Sequence, residues 1–162
     1  MKKQDLQTPA ILVELDTLKN NINKYQEEAN KYCKEIWPMI KTHKSLEITK
    51  MQMDAGATGV LCGTLDEVEA VAKAGVEKIM YAYPVASPQS IERVIKVTKE
   101  RDLIIRIDDL DAAKMISEAA LKTGVTVSYT IIINAGLTRF GIEPADAVKF
   151  ADSLKGLRGL KL

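Results

Sequence analysis

The chain of 162 residues carries 23 basic and 22 acidic side chains, a formal net charge of +1, which gives no grip on nucleic acid or another polyanion. That length suffices for one domain with a real core, and no apolar stretch approaches a membrane span. Met1-Lys2-Lys3-Gln4-Asp5 has no apolar region behind it and does not read as a secretion signal. Cys33 and Cys62 have neither metal-like spacing nor a framework pattern, and read as reduced, small apolar residues of a cytoplasmic protein. His43 is the only histidine, which excludes a multi-histidine metal site within the chain.

Residues 10–15 form an apolar run expected as a strand, with Asp16 capping a helix whose Leu18, Ile22, Tyr25, Ala29 and Tyr32 recur at helical spacing. Trp37, Met39 and Ile40 make a short apolar strand that ends in Lys41, His43 and Lys44. A helix over 45–55 follows, in which Met51 and Met53 read as core filler. Residues 59–63 form the next strand. Thr64 and Glu67 then make a capping box for a helix that ends at Gly75. A strand over 78–83 is stopped by Pro84, and Ser87-Pro88 supplies an N-cap and an N1 proline for a helix to about residue 99.

Residues 103–108 are a further strand, and Asp108 or Asp109 caps a helix closed by Gly124. Residues 125–134, rich in β-branched side chains, form the fifth strand of the series. After the loop 135–141, Pro144 starts a helix to about 154, and Leu160-Lys161-Leu162 opens another strand.

From residue 36 onward strands begin near positions 36, 58, 78, 103 and 127, with one helix in each interval. This is the rhythm of right-handed βα units on a parallel sheet. Periodicity leaves a (β/α)8 barrel and an open doubly wound sheet both available, and the first βα turn lacks a Gly-x-Gly-x-x-Gly loop.

Parallel-strand enzymes place their chemistry at the carboxyl ends of strands. Those ends here are Lys41, Gly63 with Thr64, Tyr83, Asp108, and Asn134 through Arg139. A lysine at such a junction, with apolar walls and positive neighbours, can serve as a neutral amine nucleophile, although most lysines are simply solvated. His43 reads as a proton carrier or orienting group beside it, or as a histidine hydrogen-bonded near a strand end. Tyr81 and Tyr83 alternate with Met80 and Ala82, which leaves one of them available to face the site, with core packing the better reading for both. Asp108 and Asp109 are expected as helix caps.

Lys41-Thr42-His43-Lys44 after a strand, downstream of Thr8-Pro9-Ala10-Ile11-Leu12-Val13-Glu14-Leu15-Asp16, resembles the D-threonine aldolase and D-serine dehydratase group. That group belongs with alanine racemase among the barrel-type (fold type III) pyridoxal-phosphate enzymes. The resemblance implies that Lys41, the first lysine of the motif, carries the cofactor as an internal aldimine. Where the family often has Arg-Pro-His, this chain has Trp37-Pro38-Met39. Asn134-Ala135-Gly136-Leu137-Thr138-Arg139-Phe140-Gly141 resembles the family's Asp-x-Gly-x-x-Arg-x-Gly, whose arginine approaches the phenolic oxygen of the cofactor. That implies cofactor contact for Arg139, with Asn134 standing where aspartate is usual.

The resemblance favours the barrel: an α/β fold, a partial (β/α)8 TIM-type barrel of about five βα units preceded by one extra strand and helix. Residues 1–35 would hold that strand and helix, and 36–162 an incomplete barrel. Five strands and a stub do not close a cylinder of about eight. The expectation is therefore an amino-terminal fragment, whose late barrel strands, phosphate grip and β-rich second domain lie elsewhere. A divalent metal would belong only to that second domain. The implied function is the amino half of a pyridoxal-phosphate lyase acting on a small D-amino acid, of D-threonine aldolase or D-serine dehydratase type. It would be a homodimer when complete, with neither nucleic acid nor membrane as a partner. The alternatives are an amino-acid racemase of the same fold and a non-catalytic cofactor-binding or interaction fragment.

Overall fold

In the computed structural model, which describes residues 2–162, the chain winds through repeated strand–helix units. The elements are α1 (Leu15–Lys31), α2 (Leu46–Asp54), β1 (Val60–Cys62), α3 (Leu65–Lys73), β2 (Lys78–Pro84) and α4 (Pro88–Thr98). They continue through β3 (Asp102–Ile107), α5 (Leu110–Thr123), β4 (Val127–Ile131), α6 (Ala147–Leu154) and β5 (Leu160–Lys161). The sheet has five strands in the order β1-β2-β3-β4-β5, and every pair is parallel. Consecutive strands lie side by side with a helix between them, the arrangement of a TIM-type barrel wall.

Local chemistry starts the helices where the sequence says. Ser45, Thr64, Ser87 and Asp109 each accept a backbone N–H from three residues on, at 3.2, 3.1, 3.1 and 2.7 Å. Each bond satisfies one of the donors a helix start leaves orphaned. Gly124 closes α5 at φ +70, a left-handed conformation that costs glycine little.

Strand residues alternate between two unlike faces. Val60, Cys62, Ile79, Leu103, Ile105, Ile107, Val127 and Tyr129 are buried, and they share one core with Val68 and Val71 of α3, Ile91 and Val94 of α4, and Ala113 and Ile116 of α5. The alternate residues of β3, Ile104 and Arg106, are only half-buried, as are Ser128 and Thr130 of β4. One face of the sheet is thus sealed by helices, while the other, the barrel's inner side, stays partly open.

Four expectations fail locally. Residues 10–14 form no strand: Leu15 already belongs to α1, and Ile11 is 96% exposed. An apolar run becomes a strand only with a partner to pair with, and none of the described residues offers one. Asp16 lies inside the first turn of α1 and is not its cap; Glu14 occupies that position without a side-chain bond. The expected strand before Lys41 shrinks to a single bridge between Met39 and Leu61. Pro38 has no N–H to give, and its carbonyl accepts from Leu61 N–H at 2.9 Å while Ile36 accepts from Thr58 at 3.1 Å. The chain then tightens into a 3-10 turn over Ile40–Thr42. The strand expected over 125–134 is regular only from Val127 to Ile131, beyond which one bridge joins Ile133 to Ile142.

Candidate active site

The carboxyl ends of the strands gather one cluster. Lys41 leaves the 3-10 turn and lays its stem across Gly63, just past the end of β1. A Cβ at Gly63 would stand 2.9 Å from Lys41 Cδ and 3.2 Å from Cγ, so only glycine leaves that floor clear. The Lys41 amine donates a long hydrogen bond of 3.4 Å to the Tyr83 hydroxyl at the end of β2. The amine also lies 5.9 Å from the centre of the Tyr83 ring. Lys41 itself is exposed, so the desolvation expected of it is not found.

Arg139 reaches the same tyrosine from the loop after β4. Its guanidinium carbon lies 5.2 Å from the Tyr83 ring centre and 4.6 Å from that of Phe140, cation–π distances in both cases. Tyr83 and Phe140 meet edge to face, 5.6 Å apart at 80°. Two residues remote in sequence, Lys41 and Arg139, therefore converge on one phenol. Lys41 donating to the oxygen, with the positive charges of Lys41 and Arg139 nearby, holds the Tyr83 hydroxyl below the ordinary tyrosine range. Tyr81 differs: burial pushes its phenol up. Core packing suits Tyr81, but Tyr83 belongs to the rim.

The loop that presents Arg139 is tied down at both ends. Asn134 Oδ1 accepts from Gly136 N–H at 3.1 Å and Thr138 N–H at 3.0 Å. Those bonds hold Thr138 at φ +55, a left-handed conformation that is an outlier for a β-branched residue. Asn134 Nδ2 donates to Glu143 Oε1 at 2.6 Å, which an aspartate in that position could not do. Asp108 is not a helix cap: its Oδ2 accepts from Gly141 N–H at 2.9 Å and fastens the far end of the loop. Gly141 has φ +107, and a Cβ there would stand 2.9 Å from Asn134 N, so the close approach requires glycine.

His43 and Lys44 sit beneath this cluster. His43 Nδ1 accepts from Ser45 N–H at 3.1 Å, and its buried Nε2 has no partner among the described residues. Lys44, left-handed at φ +50, turns its amine to within 3.2 Å of Glu67 Oε1. Glu67 is only 8% exposed, and its Oε2 accepts from Gly63 N–H at 2.7 Å. The reciprocal half of the expected capping box is therefore absent, since Glu67 serves the floor under Lys41 and not Thr64. Charge repulsion from Glu67 and burial push the neighbouring Cys62 thiol up to about 12, burial being the larger cause.

The sequence places Lys41, Gly63, Tyr83, Asp108 and Asn134 through Arg139 at strand ends, but it does not reveal the contacts of Tyr83 and Phe140, the Gly63 floor or the loop ties of Asn134 and Asp108. Tyr83 carried one usable signal: it stands immediately before the proline that stops its strand. Among the described residues no helix is long and apolar enough to cross a membrane.

The chain is similar along nearly all its length to proteins already characterised. A 3-hydroxy-D-aspartate aldolase of Paracoccus denitrificans is 29% identical over 150 residues, covering 91% of this chain and 39% of that protein. A D-threo-3-hydroxyaspartate dehydratase of Delftia sp. is 30% identical over 142 residues, covering 87% and 37%. The crystal structure of D-threonine aldolase from Filomicrobium marinum superposes with a TM-score of 0.94 at 28% identity, covering 99% of this chain and 44% of that one. The chain thus spans well under half the length of these relatives. Its structural neighbours are fold type III pyridoxal-phosphate enzymes with a TIM-barrel-like domain. The profile of the alanine racemase N-terminal domain matches residues 13–162, and the chain belongs to that family.

Proposed function

We propose that this chain is the cofactor-bearing part of a pyridoxal-phosphate lyase acting on D-amino acids, of D-threonine aldolase or D-serine dehydratase type. The observation that carries this reading is the meeting of Lys41 and Arg139 at Tyr83. An amine over a glycine floor, beside a guanidinium held by two rings, suits a flat aldehyde that bears an ionised oxygen. Lys41 would attach the cofactor and Arg139 would hold its phenolic oxygen.

When bound, pyridoxal phosphate supplies an electron-withdrawing ring that takes up the electron pair left by a bond broken at the substrate Cα. The chain's own residues do the rest. Lys41 Nζ, kept near Tyr83, is placed to hold or move a proton at the reacting carbon. Arg139 keeps a positive charge beside the anionic oxygen. His43 accepts from Ser45 at Nδ1, which makes Nε2, buried and without a partner among the described residues, the nitrogen that carries the proton of the neutral ring. Gly63 and Glu67 set the height of the floor on which Lys41 rests. The substrate is a D-amino acid with a hydroxyl on Cβ, the chemistry shared by the names of the aldolase and dehydratase relatives. Function in a homodimer belongs to the same proposal.

Turnover tests it. With pyridoxal phosphate added, the protein is expected to release glycine and acetaldehyde from D-threonine, or pyruvate and ammonia from D-serine. D-to-L interconversion without either cleavage would give the racemase reading instead, and no reaction with any of these substrates would leave a cofactor-binding fragment.

A further inference from the structure

We propose that Tyr83 is a positioning residue that fixes the amine of Lys41 and the guanidinium of Arg139 relative to each other, the hydroxyl holding the first and the ring face the second. Its bearing on catalysis rests on the reading that Lys41 carries the cofactor; the geometry itself does not. Lys41 begins before β1 and Arg139 follows β4, so no shared element sets their separation. Tyr83, at the end of β2, is approached by both. Its hydroxyl lies 3.4 Å from Lys41 Nζ, and its ring centre 5.2 Å from the Arg139 guanidinium carbon.

The phenol is itself well placed to do this. Phe140 stacks edge to face against it at 5.6 Å, and Tyr81 on the same strand lies 6.4 Å away, also edge-on. Its strand pairs with β1 as far as Tyr81 and with β3 at Met80 and Pro84, with a register shift between those two. The two cations it serves are both exposed, carried on a tight turn and a loop, and would otherwise be free to swing. Two positive groups near each other also repel. A ring face and a lowered phenol between them offset that repulsion where a leucine or methionine would not.

The test separates the hydroxyl from the ring. Tyr83→Phe keeps the ring and removes the oxygen; Tyr83→Leu removes both. The first readout needs no cofactor: ultraviolet titration of the tyrosines in wild type against Tyr83→Phe. The difference is expected to show a phenol that ionises below the ordinary range and moves upward in Lys41→Met. A difference that coincides with ordinary tyrosine, or ignores Lys41→Met, overturns the contact.

The second readout is the rate at which pyridoxal phosphate becomes trapped on Lys41 by borohydride. Tyr83→Phe is expected to slow trapping about tenfold, the worth of one hydrogen bond to a charged group. Tyr83→Leu is expected to slow it further. Adding Arg139→Ala should then cost less on the leucine background than on the phenylalanine background, because the leucine variant has already lost one of the guanidinium's two rings. Equal rates in wild type and Tyr83→Phe overturn the proposal while leaving Lys41 as the cofactor lysine. No trapping on Lys41 in wild type, with the titration behaving as expected, sinks the cofactor reading and leaves the positioning role standing.

Discussion

Lys41 and Lys44 stand on one short turn and meet opposite surroundings. Lys44 has a counter-ion: Glu67 lies 3.2 Å away, a buried carboxylate whose other oxygen already serves Gly63. Lys41 has no carboxylate within ion-pair distance among the described residues, and its nearest polar partner is a phenol. A lysine paired with a buried carboxylate is tied to the fold by that pair. An amine beside a phenol and a guanidinium has no such tie, and can be offered to an aldehyde. On the proposed reading the two lysines of one motif divide into a brace and a reactive group, and the structure places Glu67 beside Lys44.

The sharpest way to break this contrast is to remove each lysine in turn. Lys41→Ala is expected to abolish borohydride-trapped labelling by pyridoxal phosphate, while Lys44→Ala keeps most of it and changes thermal stability little. Equal labelling of the two variants would erase the distinction. Next in size is Gly63→Ala. Its methyl would collide with the Lys41 stem, so labelling should slow by up to about a hundredfold, with a much smaller change in melting temperature. A parallel collapse of both would mean that Gly63 serves only the backbone.

Glu67→Ala probes the brace. It leaves the Gly63 N–H buried without an acceptor, at a cost of about 2 kcal/mol in denaturant unfolding. Glu67→Gln keeps an acceptor and should cost about half as much. The loss of the ion pair itself adds little, because the Lys44 side chain is 63% exposed.

Smaller still is Asn134→Asp. It sets a second carboxylate against Glu143, which should lower stability by about 1 kcal/mol at neutral pH and be relieved by acidification. An unchanged unfolding midpoint would show that the amide bond to Glu143 does not hold the loop. The smallest effect is chemical. Cys62, pushed up to about 12, should resist thiol reagents at neutral pH while exposed Cys33 reacts. Because the folded value lies above that of an ordinary thiol, any stability it lends is complete below the ordinary value and fades as pH climbs toward about 12.

The βα rhythm was legible because each unit is written locally. A capping side chain, an apolar helical stripe and a β-branched run need no knowledge of the rest of the chain, and Ser87-Pro88 or Thr64 signals its helix unaided. Residues 10–14 depart from the strand their composition suggests because pairing is not local: Ile11, Leu12 and Val13 have no strand partner among the described residues. Asp108 and Asp109 are neighbours with the same chemistry. Only the folded chain brings Gly141 to one and Ala112 to the other. Which of Tyr81 and Tyr83 faces the site is hidden from the sequence for a similar reason. Alternation on a strand assigns a face, but the open inner side of this sheet makes that face the rim of a site. In the opposite sense, Lys41 was legible through its motif, while the exposure of its amine was not.

The most direct measurement is peptide mapping of the wild-type protein after pyridoxal phosphate and borohydride. The division of labour between the two lysines requires the reduced adduct on Lys41, with Lys44 unmodified. An adduct on Lys44, or spread over surface lysines without preference for Lys41, would contradict it.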